Sequence, residues 1–368
     1  MNMNMVSIAK RENNNKRKYL VVNRLQGKHI PVSGKTAFNV FDTLAKSVEN
    51  SYNSNEKLLL VGFAETATAI GARLAVTLKC NYMQTTREQV DNAEYLYFTE
   101  SHSHATEQKL VKNDIDSVID GTDRIVFVED EVTTGNTIMK IVDIIEKLYP
   151  DKVKFAVASL LNGMDGEALE RYNARGIDVH YLVKTDHGTY TEIAESFKGD
   201  GEYVQKDVTN SGAEVIDVTE GYLNTRRLVG GGDYDVACRK LFEEIESRTD
   251  LSGVKTMAVI GTEEFMYPAL YAAECFENMG ISVFSHSTTR SPIVTSTEEG
   301  YPLKKRFELV SFYDSARRTF IYNLRKYDCV VVITDSRYKD LTGVDTLVNA
   351  LKSVGNDNIN VYRWCENG

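Results

Sequence analysis

The sequence of 368 residues has little that would suit an extracellular or membrane protein. Its five cysteines are scattered, odd in number and without C-x-x-C spacing, which argues against a disulfide framework and against a zinc site. No stretch has the apolar length of a signal sequence or of a membrane-spanning helix. We therefore expect a cytoplasmic protein that makes no contact with a membrane and supplies no metal ligands of its own.

Positive charge is also in short supply, because 43 Lys and Arg residues stand against 53 Asp and Glu residues, a formal net charge of −10. This balance argues against a nucleic-acid-binding surface. An anionic substrate remains compatible with it, since a local cluster of Arg, Lys and backbone N–H groups can bind an anion within an acidic chain.

The chain is too long for one ordinary hydrophobic core, so two domains are expected. Strand and helix patterns alternate within each half, which predicts an α/β fold with mostly parallel sheets. The apolar periodicity lapses between Phe197 and Gly212, and this stretch is the expected boundary. We predict a disordered tail at residues 1–18, a first domain at 19–205 and a second domain at 206–368.

The most informative stretch is residues 125–137, with the sequence IVFVEDEVTTGNT. Four apolar residues predict a buried strand, and the apolar spacing after the stretch, from Ile138 to Ile145, predicts a helix. The Thr hydroxyls of residues 133–137 converge with the N–H groups of the first helical turn, and Gly135 allows the backbone to approach closely. Such a loop is well suited to bind a phosphate monoester.

Glu129 and Asp130 precede this loop. Carboxylates accept hydrogen bonds well from vicinal sugar hydroxyls, so this pair is suited to a sugar rather than to its phosphate. The alternative is an ordinary strand, loop and helix with exposed acids.

The run resembles the signature of type I phosphoribosyltransferases, in which an apolar strand, an acidic pair and a T-T-G-x-T loop hold the ribose and 5′-phosphate of phosphoribosyl pyrophosphate (PRPP). Glu131 is a departure, because the family usually carries an apolar residue there. The resemblance implies a Rossmann-like fold, displacement of pyrophosphate from PRPP by an acceptor, and Mg²⁺ that bridges substrate oxygens. The implied ribose and 5′-phosphate contacts are Glu129, Asp130, Thr133, Thr134, Gly135, Asn136 and Thr137.

Two upstream segments resemble the pyrophosphate site of these enzymes. Residues 62–68, GFAETAT, leave a strand and enter an Ala-rich helix, and Arg87 follows the next strand, where related transferases place a cation on the pyrophosphate. The alternative for the first segment is a helix N-cap by Thr66 or Thr68. The implied pyrophosphate contacts are Ala64, Glu65, Thr66, Ala67, Thr68 and Arg87.

Residues 99–109, TESHSHATEQK, are polar and resemble the family's mobile catalytic loop. Such a lid shields a ribosyl cation-like transition state from water. The alternative is that the histidines of this segment have no role in catalysis. The implied lid residues are Glu100, His102, His104 and Lys109. Residues 23–31 could form the hood that recognises the acceptor, or an irregular strand.

The second half of the chain repeats the order of the first at an offset of roughly 200 residues. We interpret this as an internal duplication that produced two tandem, mutually similar phosphoribosyltransferase-like (Rossmann-like) domains. The matched segments are Leu58–Thr66 with Met257–Phe265, Tyr82–Arg87 with Phe284–Arg290, Phe98–Glu100 with Ser296–Glu298, and Asp123–Asp130 with Tyr327–Asp335.

The second half carries a distinctive tetrapeptide, Thr289-Arg290-Ser291-Pro292. With it, the whole chain resembles two-domain proteins of bacterial tellurium-resistance and stress operons, in which a phosphoribosyltransferase domain is joined to the domain named TRSP after this motif. Arg290 could fix an anion-binding turn, or Pro292 could serve structure alone. Intact PRPP binding is not expected in this half, because Thr334-Asp335 replaces the acidic pair. The candidate site residues are Thr262, Glu263, Glu264, Arg290, Ser291 and Asp335.

The sequence thus predicts a Mg²⁺-dependent phosphoribosyltransferase that uses PRPP and a small-molecule, base-like acceptor in a stress-associated biosynthetic pathway. A non-catalytic sensor of PRPP or a nucleotide is the alternative. A separate lyase or hydrolase step in the second domain would require an acid/base set that the sequence does not display. We expect either a homodimer or an intramolecular pseudo-dimer of the two halves.

Overall fold

The computed structural model describes residues 5–12, 17–98 and 108–366 of the chain. The strands are β1 (Val6–Lys10), β2 (Tyr19–Asn23), β3 (Leu58–Gly62), β4 (Asn81–Gln84), β5 (Tyr95–Phe98), β6 (Gln108–Val111), β7 (Arg124–Val132), β8 (Lys154–Asn162), β9 (Asp178–Lys184), β10 (Glu202–Val204), β11 (Val215–Val218), β12 (Val229–Gly230), β13 (Thr256–Gly261), β14 (Ser282–Ser287), β15 (Lys305–Val310), β16 (Arg318–Tyr322), β17 (Cys329–Thr334) and β18 (Ile359–Trp364). The helices are α1 (Gly34–Glu49), α2 (Thr68–Leu78), α3 (Lys112–Val118), α4 (Asn136–Leu148), α5 (Gly166–Ala174), α6 (Tyr190–Ser196), α7 (Gly231–Arg248), α8 (Tyr267–Asn278) and α9 (Thr342–Ser353). Among these helices, none combines the length and the apolar character needed to cross a bilayer.

The chain forms two compact units that are not consecutive in sequence. The six-stranded unit comprises Asn39–Asp186 and Leu223–Ala237, and the five-stranded unit comprises Met1–Phe38, His187–Tyr222 and Cys238–Gly368. This division differs from the predicted single boundary at residue 205.

The six-stranded unit is built on a sheet with the strand order β12-β4-β3-β7-β8-β9. All neighbours pair in parallel except β12, which runs antiparallel to β4. The central strands β3 and β7 are buried, and α4 buries Ile138, Ile141 and Val142 as the apolar spacing predicts. Because parallel strands end at one edge of the sheet, the loops after β3, β4 and β7 meet there. The predicted α/β fold with mostly parallel sheets is confirmed.

Strand β7 is longer than predicted, since it runs through the acidic pair to Val132. Its pairing with β8 continues to the register Val132↔Asn162. Neighbouring backbone groups therefore extend the strand where the sequence pattern predicts its end.

Residues 223–237 complete the six-stranded unit, although they follow the first domain in sequence. Val229 pairs with Tyr82 across β12 and β4. Arg227 makes a bidentate ion pair with Asp114, at 2.7 Å from Nε to Oδ2 and 2.6 Å from Nη2 to Oδ1. The segment is therefore part of this unit and not a free linker.

The five-stranded unit contains a parallel sheet with the order β11-β18-β17-β13-β14. Four of its strands, β14-β13-β17-β18, have the same sequence order and direction as β4-β3-β7-β8. Each unit also has an antiparallel strand pair at the same place in the chain. The pair β5 and β6 lies between β4 and β7, and the pair β15 and β16 lies between β14 and β17. An internal duplication predicts this shared order.

The N-terminal residues belong to the five-stranded unit. Strand β1 pairs with β2 in an antiparallel ladder, and Ala9 and Val22 pack into a buried cluster with Ile293 and Phe320. The predicted disordered tail at residues 1–18 therefore contains an ordered strand at Val6–Lys10, because β2 and this cluster bury its apolar side chains. Residues 23–31, considered above as a hood, lie in the same unit.

Candidate functional site

The acidic pair lies at the carboxyl end of β7, and both Glu129 and Asp130 are half-buried. The hydroxyl of Thr66, in the loop after β3, donates a hydrogen bond of 2.8 Å to Asp130 Oδ1. This contact brings together two segments that the sequence separates by about sixty residues and that were predicted to hold ribose and pyrophosphate respectively.

The loop of residues 133–137 turns from β7 into α4 through Gly135, which has φ +71° and occupies the N-cap position. Tyr172 on α5 is fully buried beneath the loop and donates a 2.6 Å hydrogen bond from its hydroxyl to the carbonyl of Gly135. A Cβ at position 135 would lie 2.5 Å from the Tyr172 oxygen. Only glycine therefore fits the turn.

On the other face of this loop, Thr134 is exposed, and Thr133 and Thr137 are half-buried. The first helical N–H groups of α4 are nearby, so the loop has the donors that a phosphate requires. Sequence reasoning did not identify Tyr172 as the support of this loop, because it lies on a different helix. Burial raises the pKa of its phenol well above the ordinary value, so it remains a neutral donor.

The loop after β3 is held by side chains on two other segments. Ala64 N donates to Thr85 Oγ1 at 2.8 Å, and Gln108 Nε2 donates to the Ala64 carbonyl at 2.7 Å. Thr85 in turn donates to Gln108 Oε1 at 2.5 Å. The sequence alone did not identify Thr85 and Gln108 as supports of this loop. The Thr-Thr-Arg motif was the signal that could have pointed to Thr85.

The same loop enters α2 at Ala67, which makes no side-chain capping hydrogen bond. This observation does not support the alternative that Thr66 or Thr68 acts as a simple N-cap. The peptide bond between Ala64 and Glu65 is cis.

Arg87 follows β4 as expected and is half-buried. Its neighbour Thr86 exchanges two backbone hydrogen bonds with Lys109, at 2.9 and 3.1 Å. Lys109 is buried in β6, and its Nζ lies 4.6 Å from the centre of the Tyr95 ring. Lys109 thus lies in a buried strand, whereas the sequence predicts a polar loop at this position. The other lid residues, Glu100, His102 and His104, lie outside the described residues.

A cavity of about 450 Å³ in the six-stranded unit is at the opposite edge of the sheet. It is lined by the ends of α1 and α2 and by the residues that precede β3 and β4. None of the predicted site residues contributes to it, so it plays no part in the site described here. Within residues 5–12, 17–98 and 108–366, no group of three or more His, Cys, Asp or Glu residues is placed to hold a metal ion.

Two family models match separate parts of the chain. Residues 5–186 match the family model described as phosphoribosyl transferase, and residues 233–351 match the TRSP domain, described as lying C-terminal to that transferase. The chain carries a phosphoribosyl transferase domain followed by a TRSP domain. It is therefore a pentosyltransferase by class.

Several solved structures resemble part of this phosphoribosyltransferase. They include the adenine phosphoribosyltransferases of Rhodothermus marinus (TM-score 0.35, 13% identity, 49% of this chain and 94% of that chain) and Thermoanaerobacter pseudethanolicus (0.35, 21%, 49% and 96%). The Trypanosoma brucei adenine phosphoribosyl transferase, in complex with AMP, pyrophosphate and ribose-5-phosphate, matches with a TM-score of 0.36 and 13% identity over 49% of this chain and 76% of that chain. No curated protein matches the chain.

The candidate site of the TRSP domain lies at the carboxyl ends of β13, β14 and β17. Glu263 and Glu264 are buried, and both contact Arg290, at 2.5 Å to its Nε and 3.4 Å to its Nη2. Lys28 donates to the Glu263 carbonyl at 2.6 Å and to the Thr288 carbonyl at 2.9 Å. The TRSP arginine thus lies in an ion-pair network.

The remaining candidates of this domain divide into two groups. Asp335 accepts a 2.6 Å hydrogen bond from Tyr313, whose hydroxyl also lies 2.8 Å from Thr262 Oγ1. Ser291 is held by its backbone, since its carbonyl accepts from the Tyr322 hydroxyl at 2.7 Å. This contact fixes the backbone of the turn after Arg290.

Proposed function

We propose that the six-stranded unit transfers the 5-phosphoribosyl group of PRPP to a small, nucleobase-like acceptor. In this reaction the bond from ribose C1 to pyrophosphate breaks, a bond from C1 to the acceptor forms, and the acceptor loses a proton. The observation that carries the proposal is the hydrogen bond from Thr66 to Asp130, which joins the loop after β3 to the acidic strand that precedes the phosphate loop.

Each segment has one role in this proposal. Residues 133–137 bind the 5′-phosphate through N–H groups and hydroxyls, and Glu129 and Asp130 accept hydrogen bonds from the ribose hydroxyls. Residues 64–68 and Arg87 stabilise the charge that grows on the departing pyrophosphate. Glu100, His102 and His104 are proposed to close over the substrate and exclude water.

The donor set also fits Mg²⁺ that arrives with the substrate. Mg²⁺ prefers oxygen ligands and keeps several waters, and two half-buried carboxylates at one strand end can accept hydrogen bonds from those waters. The metal would supply charge neutralisation on the pyrophosphate. The protein residues would orient the ribose and the leaving group.

The resemblance to stress-operon proteins further suggests that the product serves a stress-associated biosynthetic pathway. We propose this context on that resemblance alone, and it is tested by metabolite analysis of deletion strains under tellurite or other metal stress. An unchanged metabolite profile would argue against it.

The transfer reaction is tested by phosphorus NMR with PRPP and Mg²⁺, with and without a panel of nucleobases. Acceptor-dependent release of pyrophosphate is the expected result. Tight binding of PRPP without release in any mixture would favour the sensor alternative.

Substitution of Asp130 by Asn tests its role. We expect turnover to fall at least about a hundredfold, the loss typical of removing one group that stabilises a transition state. Asp120→Asn is the matched control, because the Asp120 carboxylate is exposed and contacts only Lys152 among the described ion pairs. Full activity in Asp130→Asn would remove the assignment of the acidic pair.

A further inference from the structure

The carboxylate of Glu263 in the five-stranded unit accepts hydrogen bonds from three side chains, as a bound anion would. Its Oε2 accepts from Arg290 Nε at 2.5 Å and from Arg317 Nη1 at 3.2 Å. Its Oε1 accepts from the Ser311 hydroxyl at 2.5 Å, and the side chain is only 1% exposed. The three donors come from two different loops, one after β14 and one between β15 and β16.

The backbone holds this carboxylate in place at a conformational cost. Glu263 has φ +49°, in the left-handed region that side chains other than glycine rarely adopt. Its N–H donates to Thr288 Oγ1 at 3.0 Å, and its carbonyl accepts from the buried Lys28. A strained residue that is fixed on both backbone groups and by three side-chain donors indicates a specific role for its carboxylate.

The position of Glu263 in the fold suggests what that role is. Strand β13 has the place in its sheet that β3 has in the other unit, and Glu263 lies in the loop after it. Arg290 follows β14 within a Thr-Thr-Arg sequence, as Arg87 follows β4. In the proposed function, the loop after β3 and Arg87 meet the pyrophosphate of PRPP. The inference below rests on that assignment for the identity of the anion.

We propose that the TRSP domain retains an anion site of the pyrophosphate type and that Glu263 fills it with the chain's own carboxylate. The intact protein then binds pyrophosphate in the six-stranded unit alone. Removal of the Glu263 side chain leaves Arg290 and Arg317 facing a vacated space, which pyrophosphate from solution can enter.

Among the described ion pairs, two other carboxylates lie near these arginines. Glu264 Oε1 lies 3.4 Å from Arg290 Nη2, and Asp314 Oδ2 lies 3.8 Å from Arg317 Nη2. Both distances exceed those to Glu263, so neither residue replaces it without moving. The double variant Glu263→Gly/Glu264→Gln removes the nearer competitor and is expected to bind pyrophosphate more tightly than Glu263→Gly.

The test is isothermal titration calorimetry of the full chain with inorganic pyrophosphate. Glycine suits φ +49°, so Glu263→Gly removes the carboxylate without adding backbone strain. We expect one site per chain in the unmodified protein, one in Glu263→Gln, where the amide still fills the space, and two in Glu263→Gly. The added site should disappear in Glu263→Gly/Arg290→Met, which locates it at the TRSP arginine.

Two further measurements keep the proposal testable even if Glu263→Gly is unstable. Arg290→Met alone should leave the single pyrophosphate site of the intact protein unchanged, and loss of that site would overturn the proposal. Propionate is the second probe, because it matches the deleted side chain. If propionate raises the melting temperature of Glu263→Gly and pyrophosphate does not, the space is specific for a carboxylate and the pyrophosphate assignment is refuted.

These readouts are independent of catalysis. If the intact protein releases no pyrophosphate from PRPP with any acceptor, the proposed transfer reaction fails. An added, Arg290-dependent site in Glu263→Gly would still stand. Conversely, an active transferase whose Glu263→Gly variant binds no additional pyrophosphate would refute this inference alone.

Discussion

Replacement of Gly135 by Ala should destabilise the loop of residues 133–137 through two separable effects. The first is the left-handed backbone, φ +71°, which costs a residue with a Cβ roughly 1–2 kcal/mol. The second is contact, because the new Cβ would lie 2.5 Å from the Tyr172 oxygen and 2.7 Å from its Cε2. Relief of such overpacking costs about 1–3 kcal/mol, and displacement of Tyr172 also weakens its hydrogen bond to the loop.

We therefore expect Gly135→Ala to destabilise the six-stranded unit by about 3 kcal/mol in total. Two other glycines of this unit provide matched controls. Gly176 has φ +64° with open space around its Cβ position, so Gly176→Ala should show the backbone cost alone, about 1 kcal/mol. Gly166 has neither constraint, so Gly166→Ala should be neutral or slightly stabilising.

Hydrogen exchange of peptides from residues 124–148 is the suitable assay. The single tryptophan, Trp364, lies in the five-stranded unit, so its fluorescence reports on that unit instead. PRPP affinity, measured by calorimetry, should fall in Gly135→Ala and remain in both controls. If Gly135→Ala is no more destabilising than Gly176→Ala, the contact with Tyr172 is not a constraint and the reasoning fails.

Two further outcomes follow from buried polar groups. Arg227→Met removes the two-pronged partner of the buried Asp114 and should destabilise the six-stranded unit by about 2 kcal/mol in urea unfolding, whereas Lys152→Met, at an exposed ion pair, should have no measurable effect. Equal effects would contradict a structural role for residues 223–237. Burial lowers the pKa of His286 to about 3, so its imidazole is neutral in the folded chain, while the unfolded chain takes up a proton below about pH 6.5. Because only the unfolded chain binds this proton, the free energy of unfolding is unaffected by His286 at neutral pH and decreases as the pH falls, by about 2 kcal/mol between pH 7 and pH 5. His286→Gln should flatten the pH dependence of the free energy of unfolding between pH 7 and pH 5. An unchanged slope would refute the lowered pKa of His286.

Local sequence patterns were sufficient to predict the strand, loop and helix from β7 to α4. These elements depend on interactions between residues close in sequence: apolar periodicity, a glycine turn and the free N–H groups of a first helical turn. The same is true of the loop that leads from β3 into α2. The parallel α/β fold followed from the alternation of such elements.

The strand at Lys109 was not predicted, for a different reason. The polar composition of residues 99–109 resembles a lid, yet Lys109 pairs through its backbone with Thr86 and is buried in β6. Polarity alone does not reveal a ladder whose partner strand lies elsewhere in the chain. The ordered strand β1 within the predicted disordered tail has the same explanation, since its partner β2 and its packing against Ile293 are not local.

The sequence by itself determined the chemical class of the first half, because the residues that suit a sugar and a phosphate stand next to one another in the chain. Only the tertiary structure decided what supports them: Tyr172 beneath Gly135, Gln108 on Ala64, and residues 223–237 on β4. It also decided that Glu263 lies between Arg290 and Arg317. These contacts join residues far apart in sequence. Which side chains meet there is set by packing of whole elements, for which a single sequence carries no short-range signal.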